Sequence, residues 1–254
     1  MSIDLKLALC KILLNRKMGD ESLNVAFYTV FFGTDTNNAN CVHEVPTQLY
    51  PCYYFTNNET TLQQAKSKGW LAIHLDLPLL DNVEQSTMQA KFLKAKPSAN
   101  DILKKYNYTV YFDSKLEINV NNILSKISTF PINKSYILKT HPYLPNNVWG
   151  ELTEALLQSR YKDIKDKIIH YMEDMLSMGF QAEFNHLYAT GVIIRNMKHP
   201  KTNQIDDAWY THIQKCGIEC QISFFFVNQL FHPFIVPDGY GEDYMSKNAI
   251  WVRL

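Results

Sequence analysis

The chain has 254 residues, is 46% hydrophobic and 13% aromatic, and balances Lys+Arg 25 against Asp+Glu 25. That length and apolar content suit one sizeable domain, while zero net charge removes any global pull towards nucleic acid or anionic lipid, so a ligand must be recognised locally. No window approaches the roughly 20 apolar residues of a membrane span, and the scattered cysteines Cys10, Cys41, Cys52, Cys216 and Cys220 lack zinc-site spacing and read as reduced thiols of a cytoplasmic protein.

The opening "MSIDLKLALCKILLNRK" mixes charges into its apolar run, which predicts a peripheral amphipathic helix over residues 1–17 and no signal peptide. From Asn24, "NVAFYTVFFG" is nearly continuously apolar and closes on Gly33, the pattern of a strand buried on both faces. A polar "TDTNNAN" loop follows. Tyr50 to Asn58, Gly69 to Leu77 and Tyr106 to Ser114 are further strands, separated by helical stretches at Thr60 to Lys68 and Glu84 to Lys105. Such alternation predicts an α/β fold with a mostly parallel central sheet flanked by helices, in a single domain over 1–254.

After the strand "SYILKTHP", Asn147 to Gln158 and Tyr161 to Met178 show helical spacing, with Asn146 or Asn147 as N-cap and Gly179 as the stop. "LYATGVIIRN" is again a strand. "DDAWYTHIQKC" reads as a helix that starts at its paired acids, and the polar Glu219, Cys220 and Gln221 read as the start of the apolar "CQISFFFVNQLF" helix. The tail over 231–254, with Pro233, Pro237, Gly239 and Gly241, is expected to be irregular and peripheral.

In an open α/β sheet ligands bind beyond the carboxyl ends of the strands, and Asp113 stands where "YTVYF" ends. A divalent cation bridging a donor diphosphate needs hard oxygen ligands at such a place, and an Asp ending a strand serves equally as a turn or cap. The next acid, Glu117, shares a face with Asp113 only if the strand continues. Lys115 either balances diphosphate charge or is solvated. His141 ends another strand, and Glu151 and Glu154 lie on the helix that follows.

Taken in order, these segments resemble a glycosyltransferase-like family that includes plant turgor-regulation and seed-mucilage proteins and bacterial relatives. "NVAFYTVFFG" resembles the family's opening strand, "YYFTNN" its Phe-Thr-Asp segment with Asn57 at the acid, and "QAKFLKAKP" its Ala-Arg-x-x-Lys-x-x-Pro helix. "YTVYFDSK" is similar to its strand ending in aromatic-x-Asp-Ser-Lys, and "HPYLPNNVWGEL" to its His-Pro segment and aromatic-x-Glu helix, matching His141, Trp149 and Glu151. "GFQAEFNHLYATGVIIRN" resembles the strand ending in Arg, here Arg195, and "DDAWYTHIQKCGIECQISFFFV" the Trp helix and Arg-Asp-Gln motif, with Glu219-Cys220-Gln221 in its place. The resemblance runs from about Asn24 to about Leu230.

It implies a GT-A-type enzyme, a hexosyl- or pentosyltransferase that moves a sugar from a nucleoside diphosphate, UDP at the family level, to a glycan hydroxyl. Mn2+ or Mg2+ on Asp113 is the implied cofactor. Donor binding then falls to Asp113, Ser114, Lys115, Lys91, Thr29, His141 and Arg195, and catalysis to Glu151, Glu219 and Gln221. Cys220 is a poor substitute for a carboxylate base, so Glu151, Glu219, Asp206 or Asp207 must serve. The implied setting is a cytoplasmic enzyme of a bacterium or a large DNA virus. One alternative is a degenerate member that binds glycan or nucleotide without turnover. Another is a nucleotide-cofactor enzyme such as a methyltransferase, which the single Gly33 after the first strand supports little.

Overall fold

A computed structural model describes residues 23–34, 42–144 and 146–239. The helix predicted over 1–17, most of the "TDTNNAN" loop and the tail beyond residue 239 lie outside the described residues. The apolar runs form strands β1 (Val25–Phe31), β2 (Cys52–Thr56), β3 (Leu71–His74), β4 (Tyr108–Phe112), β5 (Tyr136–Thr140) and β6 (Tyr188–Asn196). A further strand, β7 (Ile235–Asp238), completes a sheet ordered β3-β2-β1-β4-β6-β5-β7. All neighbouring pairs are parallel except those of β6, which runs against β4 and β5.

The period-2 alternation of β1 divides the interior. Ala26, Tyr28, Val30 and Phe32 face one side; Val25, Phe27 and Phe31 face the other. The first side is covered by α2 (Val83–Ala95), α7 (Pro200–Cys216) and α8 (Cys220–Phe231), through Leu93, Trp209 and Phe224 among others. The second side is covered by α1 (Glu59–Ser67) and α3 (Val120–Ser128), through Ala65, Ile123 and Ile127. A third cluster joins α4 (Val148–Ala155), the short α5 (Ser159–Lys162) and α6 (Lys165–Ser177) to the back of α8, where Phe225 and Phe226 are fully buried.

The asparagines that fill the loops start the helices. Asn58, Asn82, Asn119 and Asn147 each accept a hydrogen bond from a backbone N–H of the first turn, satisfying a donor that has no partner inside the helix.

Three expectations are corrected. The helix expected over 84–105 ends at Ala95, because Pro97 cannot continue it, and short 3-10 turns carry the chain to Lys105. Asp206 and Asp207 do not start a helix: α7 begins at Pro200, capped by His199, and both acids lie within it. The tail is not irregular throughout, since Ile235–Asp238 pairs with β5 as an edge strand, where a proline such as Pro237 is tolerated. No helix of the described residues is long and apolar enough to cross a membrane.

Strand order reverses between β1 and β4, so the crevice beyond their carboxyl ends is the topological switch point. There Gly33, at φ +116°, takes a backbone conformation that side chains disfavour, and a Cβ would lie 2.9 Å from that of Ser86. The Asn57 side chain accepts from Gly33 N at 3.0 Å and Asn58 Nδ2 donates to Gly33 O at 3.0 Å, fixing the end of β1 against β2.

Candidate functional site

The carboxyl ends of β4 and β5 meet the start of antiparallel β6, where Phe112 pairs with Val192 and Thr140 with Tyr188. β4 stops at Phe112 because the chain turns: Leu116 N returns to Asp113 O at 2.9 Å, while Asp113 N is held by Gly191 O at 2.9 Å. Glu117 therefore does not share a face with Asp113; it lies 3.5 Å from His43 Nδ1.

Tyr111, two residues before Asp113 on the same strand face, donates its hydroxyl to Asp113 Oδ1 at 2.7 Å. Lys94 of α2 donates to the same oxygen at 3.1 Å, its ammonium 4.8 Å from the centre of the Tyr111 ring. The Lys94 side chain is only 3% exposed, against 31% for Asp113. Burial works to raise the Asp113 carboxyl, but Lys94, Lys115 and Lys91 outweigh it and, with the Tyr111 hydrogen bond, hold it at about 2.

One turn back on α2, Lys91 Nζ meets Cys220 Sγ at 3.1 Å, and Thr190 Oγ1 lies 3.1 Å from the same sulfur. Burial works to raise the Cys220 thiol, yet Lys91 and Lys94 carry it below the usual thiol value. The buried sulfur is thus a contact point for the Lys91 ammonium, with the Lys94 charge also acting on it.

Gln221 links this cluster to a second carboxyl group. Its Oε1 accepts from Thr190 N at 3.3 Å and its Nε2 donates to Glu151 Oε1. Glu151 is 4% exposed; among the described residues its Oε2 has no hydrogen-bond partner, and His141 Nε2 lies 3.6 Å from it. Burial first, then the Glu219 charge, push Glu151 up to about 8, with the Gln221 hydrogen bond opposing them. Burial also pushes His141 below the usual imidazole value. Its Nδ1 accepts from Leu144 N at 3.0 Å.

The fold brings Asp113, Lys91, Gln221, His141 and Glu151 to one end of the sheet, with Ser114 and Lys115 in the turn after β4. It does not bring Arg195 there, since Arg195 pairs with Thr109, at the opposite end of β4 from Asp113, and Thr29, though near the carboxyl end of β1, is fully buried. Both are corrections to a donor-binding role: Thr29 has no exposed surface, and Arg195 is completely buried against Asp206, Tyr136, Tyr28 and Lys94 O. Asp206 is thereby removed as a base, and Asp207 pairs with Lys96 at 2.6 Å.

Glu219 caps α8, its Oε1 accepting from Gln221 N at 2.8 Å, so its carboxylate organises the helix start. The Gln221 amide is engaged at both ends within the protein and orients Glu151 instead of offering itself to a sugar. Lys94, Tyr111 and Thr190 were not singled out by sequence reasoning. The spacing signal was present for Lys94, three residues from Lys91 on one helix face, and for Tyr111, two residues from Asp113 on one strand face.

A divalent cation at Asp113 fits these residues poorly. Oδ1 is taken by an ammonium and a hydroxyl, the surroundings supply lysines in place of a second carboxylate, and among the described residues no three His, Cys, Asp or Glu side chains could hold a metal together.

No protein-family model and no curated protein sequence matches the chain. Among solved structures it is similar to apo mouse xyloside xylosyltransferase 1, at 8% identity and a TM-score of 0.46, over 84% of each chain. It is also similar to the apo bifunctional glycosyltransferase WbbM, at 11% identity and a TM-score of 0.47 over 87% of this chain, which spans 39% of that one. At such identities the likeness is one of backbone arrangement alone.

Proposed function

We propose that the protein is a glycosyltransferase that moves a sugar from a nucleoside diphosphate, UDP being the first choice, to a hydroxyl of a glycan. The observation that carries this reading is the placement of two carboxyl groups with opposite environments at the ligand-binding end of the sheet. Asp113 is ionised among lysines and beside the Tyr111 hydroxyl donor; Glu151 is buried, oriented through one oxygen and, among the described residues, unpartnered at the other. Pairs of carboxyl groups pushed apart in this way divide charge-bearing and proton-transfer roles between them.

Glu151 is the base. Ionised, its Oε2 takes the proton of the acceptor hydroxyl; the acceptor oxygen forms its bond to the anomeric carbon, and the bond from that carbon to the diphosphate oxygen breaks, its electron pair leaving with the nucleotide. Gln221 and His141 orient the carboxyl group, and Asp113 receives a hydroxyl of the donor.

The test measures release of nucleotide from a panel of UDP- and GDP-sugars, with and without glycan acceptors. Wild type should turn over at least one donor, and Glu151→Gln should lower the rate by about 100-fold or more while donor affinity changes little. Equal rates in both proteins would remove Glu151 from the chemistry. Nucleotide binding without turnover of any donor would favour a binding protein on the same fold.

A further inference from the structure

The cations around Asp113 are not all neutralised by carboxylates. Lys94 is engaged with Asp113 Oδ1 at 3.1 Å. Lys91 is half-buried, and the group its ammonium meets is the Cys220 sulfur, at 3.1 Å. Lys115, half-buried in the turn after β4, makes no hydrogen bond or ion pair within the described residues. Asp113 Oδ2 likewise accepts no hydrogen bond there, and Gly191 keeps the space before it clear: a Cβ at that position would lie 3.4 Å from Oδ2.

A divalent cation entering this place would meet ammonium groups and would have to take Oδ1 from Lys94 and Tyr111. A polyanion would meet the reverse, two ammonium groups with capacity to spare beside a hydroxyl-binding carboxylate oxygen. Lysine acts on phosphate as a compact point charge, and a charge fixed before the ligand arrives stabilises a departing phosphate without reorganisation. What fixes Lys91 is Cys220, at the first residue of α8, flanked by Thr190 and by the Lys94 ammonium.

We propose that Lys91 and Lys115 form a subsite for the diphosphate of the nucleotide donor that works without a divalent cation, with the Cys220 sulfur and the Thr190 hydroxyl holding Lys91 in position. This rests on the nucleotide-sugar reading of the site and specifies how the departing charge is neutralised: the electron pair of the broken sugar–oxygen bond arrives on a diphosphate already paired with lysine. Lys91 and Lys94 carry the Cys220 thiol below its usual value against the effect of burial, which agrees with a sulfur that accepts from Lys91.

Calorimetric titration of the full chain with UDP, uridine and inorganic pyrophosphate, in excess EDTA and then in Mn2+, tests the subsite. UDP and pyrophosphate should bind in EDTA within about twofold of their affinity in Mn2+, and uridine at least about tenfold more weakly than UDP. Lys91→Met and Lys115→Met should each weaken both phosphates about tenfold, as expected for loss of a charged contact, without lowering the melting temperature. Cys220→Ala should weaken them as well, and Cys220→Asp, which puts a short acceptor back beside Lys91, should recover the loss.

Phosphate binding that appears only with Mn2+ overturns the subsite while leaving glycosyl transfer intact. Pyrophosphate binding in EDTA that is lost in Lys91→Met supports the subsite even where no sugar nucleotide is turned over, an outcome that would instead overturn the transfer reading. Wild-type affinity in both lysine variants also overturns it.

Discussion

Glu151 carries its proton on a particular oxygen. Oε1 accepts the Gln221 amide, so the proton of the neutral form sits on Oε2. His141 Nδ1 accepts backbone N–H groups, which puts the imidazole hydrogen on Nε2, and two donors then face each other across 3.6 Å without a bond. Ionisation of Glu151 removes this mismatch and lets Nε2–H donate, so His141 is placed to stabilise the base in its working form. The linkage has a definite sign. Between the ordinary carboxyl value and about 8 the folded protein holds a proton that the unfolded chain has released, so Glu151 makes stability fall as pH rises through that window. Glu151→Gln lacks this liability. Its melting temperature should rise relative to wild type from pH 5 to pH 9, the gap corresponding to a few kcal/mol at most, and nucleotide release by wild type should increase with pH up to about 8. A gap that stays constant across the range would show that Glu151 titrates as an ordinary carboxyl group.

At the scale of elements, the site depends on where α8 begins. Trp209 of α7, completely buried, donates its indole N–H to Cys220 O at 3.2 Å and to Ser223 Oγ at 3.1 Å, while Glu219 caps the same turn. Trp209→Phe keeps an aromatic ring against Phe224 but leaves these acceptors without their donor. It should cost about 1–3 kcal/mol in urea unfolding and weaken UDP binding through the displaced Cys220 turn; unchanged affinity in a destabilised variant would confine Trp209 to packing. The sheet was legible in the sequence because β-branched and aromatic runs closed by turn residues have few other uses, and the N-cap Asn147 was legible from its place before an apolar helix. The start of α7 was not: two adjacent acids imitate a cap, whereas the structure uses His199 before Pro200 and buries Asp206 against an arginine eleven residues earlier. Of the site, Asp113, Glu151 and Gln221 could be read from strand ends and helix starts, which are local features. Lys94 shares a helix face with Lys91, a local signal, whereas the roles of Thr190 and Cys220 arise from contacts between distant segments and no local pattern encodes them.

Across the whole molecule, the buried pair of Arg195 and Asp206 ties the site to the remainder of the fold. From β6 the guanidinium reaches Asp206 of α7 at 3.1 Å, Tyr136 of β5 at 3.1 Å, Tyr28 of β1 at 3.3 Å and Lys94 O at 2.6 Å. The last bond fixes the end of α2 whose side chain holds Asp113, so an arginine remote from the ligand end still governs it through one carbonyl. Removing one partner of a buried pair leaves an uncompensated charge, and Arg195→Met should cost about 3–5 kcal/mol. The pH dependence of that loss identifies its cause. Burial pushes Asp206 up to about 6 even with Arg195 beside it; without the guanidinium its carboxyl must move higher still, so the variant takes up a proton that wild type does not need. The stability gap between Arg195→Met and wild type, measured by urea unfolding, should therefore widen from pH 5 to pH 8, and adding Asp206→Asn to the variant should remove most of the widening, since an amide has no charge to bury. A gap of the same size at both pH values would mean that Asp206 is neutral in the intact pair as well, and that Arg195 holds the ends of β6 and α2 through hydrogen bonds to Tyr136, Tyr28 and Lys94 O instead of through its charge.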